Sequence, residues 1–518
     1  MSVVFPNATT PRSRPLWQNA ILRHLPGGLE TNAQADVVVI GAGIAGLTTG
    51  YLLASEGRSV IVLDDGAIGG GESGRTTAHL STALEASYVE LERMHGPQGA
   101  QLAAASHAAA IDRIEQIVRR EEIRCDFFRL DGYLFNPPES SDETRLVAEW
   151  QAAQRAGIAD VAWTKNIPVP AMTTSPALRF PRQAQLHPLK YLAGLAAAFT
   201  RIGGRLHAPT HVTEVRGGKP AQVVTRSGAV VDCEHVVVAT NAPINDRVAL
   251  MSKMAAHRTY VIAASVPPCA VPTALYWDTM NPQHYARISA GRGEDRLIIG
   301  GEDHKTGQAD DAEARYERLE VWARARFPDM GPVENCWSGQ IMHSVDGLGF
   351  IGRHPQGDAF VATGDSGHGM THGTIAGLLL TDLIQGRPNP WAALYDPARL
   401  PAGAAAKEMA GENVNELAQY SDWLTRGEAT TRIARNDGGV VREGLLKVAA
   451  YRDARRKLHR CLAVCPHLGG IVRWNRGEMS FDCPVHGSRF DRDGKLLNGP
   501  ASRDLEPLPD STDTKPTA

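Results

Sequence analysis

The first clear apolar run, Val37-Val38-Val39-Ile40, shows no alternation with polar residues, which predicts a strand buried on both faces of a parallel sheet. It leads straight into Gly41-Ala42-Gly43-Ile44-Ala45-Gly46. A helical stretch to Glu56, a stop at Gly57 and a second buried run, Val60-Ile61-Val62-Leu63-Asp64, complete a βαβ opening. Residues 84 to 122 are alanine-rich and predict two helices split near Gly96-Pro97, with Ile111, Ile114, Ile117 and Val118 spaced for a core face. From about 125 to 340 short strands mix with helices around Leu189 to Phe199 and Asp311 to Phe327. Two further buried strands are predicted, one at His235 to Val238 and one opening the strand-then-helix segment Ala359 to Ile384. After Tyr395 the pattern weakens into a Pro/Ala/Gly-containing segment with helical spacing from Glu412 to Trp423. Strand-like runs then recur at Leu445 to Ala450, His459 to Val464 and Met479 to Asp482.

At 518 residues the chain is too long for one core, and the usual prior is about three domains. With 43% hydrophobic and 21% charged residues it reads as an ordinary globular protein, and its net charge of -3 invites neither nucleic acid nor an anionic membrane. Residues 1 to 34 read as an irregular leader, and Met1 to Trp17 contains no apolar core of a secretory signal. The most apolar stretch, Tyr260 to Trp277, is interrupted by Pro267, Pro268 and Pro272, so no integral membrane segment is expected. Seven scattered cysteines form no disulfide framework and suit a cytoplasmic location.

The glycines of the opening unit have separate roles. Gly41 permits the tight turn, Gly43 lets backbone amides approach a pyrophosphate, and Gly46 allows helix and strand to pack closely. Asp64, eighteen residues past Gly46, is placed to accept hydrogen bonds from ribose hydroxyls, with Asp65 as the alternative. This leaves NAD and FAD open. Three later stretches favour FAD. The loop Gly69 to Ala78 can approach a ligand by backbone and offers Arg75, Thr76 and Thr77 to phosphate or flavin oxygen. A strand end at Ala239-Thr240-Asn241 brings small polar residues toward the nucleotide. In Thr363-Gly364-Asp365-Ser366-Gly367-His368-Gly369, Asp365 can bind a polyol chain, while the following helix start faces an anionic ring.

A second chemistry lies at Cys465-Pro466-His467 and Cys483-Pro484-Val485-His486-Gly487-Ser488, with fifteen residues between His467 and Cys483. Each loop carries one Cys and one His, a set able to hold a [2Fe–2S] cluster with two thiolates on one iron and two imidazoles on the other. Neutral imidazoles remove negative charge from one iron and ease its reduction. The competing zinc reading would group Cys with Cys and His with His. Cys461 reads as a buried strand cysteine rather than a fifth ligand.

These two loops resemble the Rieske iron–sulfur domain from about Gly438 to Leu508. Many Rieske domains join their loops by a disulfide; Gly470 and Val485 stand at those positions here, so none is expected, and a potential toward the low end of the Rieske range follows. The βαβ fingerprint, the Gly-Arg-Thr-Thr loop, Ala-Thr-Asn, Trp337-Ser338-Gly339, Asp346-Gly347-Leu348, Ile351-Gly352-Arg353 and Gly-Asp-Ser-Gly-His-Gly resemble the D-amino-acid-oxidase-like FAD oxidoreductases over about residues 35 to 395. That resemblance implies an α/β, glutathione-reductase-type FAD-binding fold with an antiparallel substrate sheet, followed by an all-β Rieske domain. Nucleotide-binding parts are expected at about 35–85, 190–245 and 340–395, the substrate sheet at about 250–345, a linker at 396–436 and the Rieske domain at 437–508. It also implies that Val212 sits near the adenine.

The function implied is oxidation of a small amine or amino acid over FAD, with electrons released singly through the cluster to a protein acceptor. Candidate substrate-facing residues are Tyr276, His284, Tyr285, Arg287, Glu302, Asp303, His304 and Lys305. Arg287 suits a substrate carboxylate or a structural ion pair, His304 a site residue or a charged turn, and His368 a position beside the flavin. Two alternatives remain: an NAD(P)H-dependent reductase feeding an oxygenase, for which no second nucleotide fingerprint is present, and a redox protein without turnover. The basic run Arg452, Arg455, Arg456, Lys457 and Arg460 reads as a solvated hairpin or a docking face for an acidic partner.

Overall fold

Strand Ala33–Ile40 lies at the centre of an eight-stranded sheet in the computed structural model, which describes residues 13–19, 26–137, 143–169, 171, 175–246, 248–291, 293–425 and 433–509. Part of the expected leader and residues 426–432 of the expected linker lie outside these described residues. On one side Ala33–Ile40 pairs in parallel with Val60–Leu63, which pairs with Arg205–His207. On the other it pairs with Val230–Val238, which pairs with Phe360–Thr363. The unbroken apolar run is explained by burial on both faces. Val37 and Val39 join the core formed with helices Ile44–Ser55 and Gly369–Ile384, while Val38 and Ile40 pack beneath the hairpin Val212–Arg216/Ala221–Thr225.

A nine-stranded sheet forms the second layer. Its order runs Val333–Ser344, Met254–Val266, Asp295–Lys305, Tyr285–Ser289, Leu275–Asp278, Phe128–Phe135, Ala177–Gln185 and His79–Leu80, with Ala162–Thr164 on Ala177–Gln185. All pairs are antiparallel except Leu275–Asp278 with Phe128–Phe135. The sheet therefore recruits strands well before residue 250, because its hydrogen-bond ladders join segments that local periodicity cannot relate. Helix Tyr88–Arg120 breaks at Gly96, whose φ is 72°, and carries Ile111, Ile114 and Ile117 buried.

Helix Ala404–Gln419 and the turn Tyr420–Leu424 lead into two small antiparallel sheets. The first holds Asp437–Glu443, Leu446–Arg452 and Leu458–Leu462. The second holds Arg473–Asn475, Ser480–Asp482, Arg489–Asp491 and Leu496–Asn498. All seven cysteines are free, and no described helix is long and apolar enough to cross a membrane.

Candidate active site and cluster loops

A cavity of about 1020 Å³ is walled by residues from both large sheets. The glycine turn lines one end through Gly41 and Gly43. Gly46 stays out of the cavity because it packs on the turn itself: a Cβ there would stand 1.9 Å from Gly41 O. Asp64, Thr76, Thr77, Val212 and Thr240 also line the wall. Asp64 accepts from the amides of Ala42 at 2.6 Å and Gly66 at 2.9 Å, and burial, then the charge of Asp65, pushes its carboxyl up to about 7. At the start of helix Gly369–Ile384, Asp365 and Gly367 face the cavity, while Gly364, at φ 72°, packs behind them on Met254 and Phe350. Asp365 Oδ1 is buried without a hydrogen-bond partner, and burial raises its carboxyl to about 7. A buried acceptor awaiting a donor, with a glycine turn no side chain could occupy, fits the ribityl and pyrophosphate parts of FAD.

The polar part of the cavity is acidic. Glu85, Asp303 and His343 bring their ligand-type atoms within 4.8 Å of one another. Burial, reinforced by the charge of Glu85, raises Asp303 to about 7. Burial lowers His343 and His368 to about 4, so both rings are neutral near pH 7. His368 Nε2 accepts from the Glu85 amide at 2.8 Å, and Tyr285 stands on the same wall. Glu408 and Glu412 of helix Ala404–Gln419 close one side, and both Glu412 oxygens accept from Lys305 Nζ at 2.7 Å.

Two expectations are corrected. Arg287 shares a strand face with Tyr285 but lies beyond the cavity: its guanidinium donates to Leu186 O at 3.0 Å and rests over Trp17, 5.2 Å from the ring centre. His304 points to the opposite face from Asp303 and Lys305, because side chains alternate along Asp295–Lys305, and contacts Tyr260 Oη at 3.0 Å. Arg75 reaches the cavity wall, yet its guanidinium donates to Ser338 O at 2.8 Å and lies 3.9 Å from Glu478. Of the other candidates, Tyr276 bonds to Pro272 O, and His284 is held between Asp278 and Glu302.

The cluster loops are built alike. Cys465 N donates to Gly470 O and Gly469 N to Cys465 O, both at 2.9 Å. Cys483 N donates to Ser488 O at 2.8 Å and Gly487 N to Cys483 O at 3.0 Å. Gly469 and Gly487 both adopt φ 77°, which the fourth residue after each cysteine needs to close the loop. The loops meet so that the two thiols hydrogen-bond; this, with the His467 amide and Ser488 hydroxyl, draws Cys465 down to about 7. The rings of His467 and His486 lie 5.0 Å apart. His467 Nε2 faces Asp246 O at 3.3 Å and His486 Nε2 faces Glu416 Oε2 at 3.3 Å, so Nδ1 is the atom through which each ring would ligate a metal. Two sulfurs and two nitrogens from opposed loops suit a [2Fe–2S] cluster. A Cβ on Gly470 would approach Val485 at 2.6 Å, so the positions of the missing disulfide do face each other. Cys461 lies apart, near Asp493 O.

Sequence reasoning missed the residues that join the two sites. Gln340 lines the cavity and donates through Nε2 to Gly487 O at 3.0 Å. Glu72 accepts from Gln340 N at 2.7 Å and from Asn498 Nδ2 at 3.0 Å, and Leu496 to Gly499 complete the cavity wall. Glu478, 2% exposed, is surrounded by Arg75, Arg258 and Arg489 and by hydroxyls of Ser13 and Ser338. Charged residues in turns carry no periodic signal; the one available clue was an isolated Glu-Met pair directly before a short strand.

A family description for FAD dependent oxidoreductases matches residues 36–383, and one for the Rieske [2Fe-2S] domain matches 424–509. A Bacillus subtilis (strain 168) chain described as a Rieske 2Fe-2S iron-sulfur protein, YhfW, is 29% identical over 93% of this chain and 94% of its own length. The gamma-glutamylputrescine oxidoreductase of Escherichia coli (strain K12) is 26% identical over 69% of this chain and 85% of its own. The crystal structure of glycine oxidase from Geobacillus kaustophilus superposes with a TM-score of 0.60 at 22% identity, covering 72% of this chain and all of that one. The chain belongs to the FAD dependent oxidoreductases and carries a Rieske [2Fe-2S] domain after the flavoprotein part.

Proposed function

We propose that this enzyme oxidises the C–N bond of a small amine and releases the electrons one at a time through the cluster to a protein acceptor. When bound, FAD supplies two-electron oxidation and the cluster one-electron transfer, with Cys465, His467, Cys483 and His486 as its ligands. The observation that carries the reading is the shared wall: Gln340 faces the cavity and binds the carbonyl of Gly487, the residue after His486.

The chain's own residues favour an amine over an amino acid. Glu85, Asp303, Glu408 and Glu412 make the chamber acidic, Lys305 is engaged by Glu412, and Arg287 is outside. An ammonium group suits Glu85 and Asp303, and an Asp303 carboxylate with a pKa of about 7 can take its proton, leaving the neutral amine. His368, neutral and fixed by the Glu85 amide, orients this edge of the cavity.

Anaerobic titration with amines, amino acids, NADH and NADPH tests the reading, following flavin bleaching and the cluster's EPR signal. Bleaching by an amine followed by growth of a mixed Cys/His signal is expected. Bleaching by NAD(P)H alone would reverse the direction of flow.

A further inference from the structure

Helix Ala404–Gln419 does more than connect the two parts. Glu412 faces the cavity on Lys305, and one turn later Glu416 reaches the outer edge of a cluster ligand, His486 Nε2, at 3.3 Å. Both side chains are largely buried, His486 7% and Glu416 15% exposed. The contact is held from both ends. Arg473 bonds Gln419 at 3.0 Å and Asp422 at 2.7 Å, Tyr420 Oη donates to Leu468 O at 2.9 Å, and Trp423 Nε1 donates to Gly469 O at 3.0 Å. The turn after the helix is thus pinned to the first cluster loop while Glu416 lies on the second.

We infer that Glu416 is a positioning residue for the cluster: it fixes the His486 ring with Nδ1 toward iron and holds the reduction potential down. With Nδ1 ligating, the proton of His486 resides on Nε2 and points at the carboxylate. A carboxylate accepting that hydrogen bond makes the imidazole a stronger donor to iron. Its negative charge, little screened at this burial, also opposes the extra electron of the reduced cluster. Both effects favour the oxidised state. The inference rests on the four-ligand assignment above and is independent of the substrate.

The test is an EPR-monitored redox titration of the full-length holoprotein. Glu416→Gln keeps the shape and removes the charge, and is expected to shift the oxidised/reduced equilibrium about tenfold, raising the midpoint by about 59 mV. Glu416→Asp, with a shorter reach, is expected to give a smaller rise, and it decides the matter if the Gln variant does not retain its cluster. Glu412→Gln loosens the same helix without touching His486 and is expected to leave the midpoint in place. An unshifted midpoint in the Glu416 variants, or an equal shift in Glu412→Gln, overturns the inference. Absence of a mixed Cys/His EPR signature in the unmodified protein would instead overturn the ligand assignment.

Discussion

Gln340 Nε2 and Gly487 O, 3.0 Å apart and buried, form the hydrogen bond that joins the cavity wall to the second cluster loop. The same glutamine is fixed through its own amide by Glu72, which also holds Asn498, so one short strap ties the flavoprotein sheet to two parts of the Rieske domain. Gln340→Ala leaves the Gly487 carbonyl buried and unpaired, at a cost of about 1–3 kcal/mol. Hydrogen exchange over residues 483–488 is expected to accelerate by about tenfold for each 1.4 kcal/mol lost. Unchanged exchange there would show that the bond does not hold the loop.

Glu478 lies at the centre of the interface. Burial alone would raise its carboxyl, but Arg258, Arg75, Arg489 and the Ser338 hydroxyl outweigh it and hold the value at about 2. A folded pKa below the ordinary 4.5 means that the stabilisation is complete above pH 4.5 and is lost as pH falls toward 2. Glu478→Gln removes the carboxylate that Arg75 and Arg258 face, while Arg489 keeps Asp482 at 3.1 Å, and is expected to cost about 3–5 kcal/mol at pH 7. In melting curves the gap between the two proteins should narrow from pH 5 to pH 2. A constant gap would mean that the charge of Glu478 is not what stabilises the interface.

Arg287 provides a direct test of cavity geometry. If it held a substrate carboxylate, Arg287→Met would remove a charged hydrogen bond of about 1.5–3 kcal/mol, roughly 10- to 150-fold in KM. Since the guanidinium sits on Leu186 O and Trp17, KM for the identified substrate is expected to stay within about a factor of two and the change to appear in the melting temperature. Steady-state kinetics beside a thermal melt separates these outcomes.

Gly46→Ala would place its Cβ 1.9 Å from Gly41 O, forcing the turn that faces the cavity to open. Overpacking of this kind costs about 1–3 kcal/mol, and the loss should fall on FAD retention. Purified protein is expected to show weakened flavin bands beside intact cluster absorption. Full flavin content would remove the turn from the cofactor site.

Cys465→Ser and Cys461→Ser are expected to behave oppositely although only three residues separate them. The first removes a thiolate facing Cys483 and should abolish the cluster's EPR signal; the second alters a thiol near Asp493 and should leave it intact. Iron content and EPR on both variants check this. Equal loss in both would point to domain unfolding rather than ligation.

The opening βαβ unit, the break at Gly96 and the paired Cys/His loops were legible in the sequence because each depends on neighbours close in the chain: apolar runs, a glycine where backbone must turn, ligands within one loop. Arg287 and His304 were misplaced for a definite reason. Alternation says which residues share a strand face, but not how far the cavity extends along that face, nor which way Asp295–Lys305 is turned after its register shift against Met254–Val266. The sheet itself drew strands from residues 79 to 185, a pairing no local pattern reveals.

By itself, then, the sequence determined the two chemistries, a dinucleotide turn and a mixed Cys/His metal site, since both are written in short segments whose residue types do the work. Tertiary structure alone decided their relation. Gln340 against Gly487, Arg75 and Arg258 against Glu478, and Glu416 on His486 each join residues 70 or more positions apart. Such contacts exist only once burial has brought the domains together and made unpaired charge and unpaired carbonyls too costly to leave.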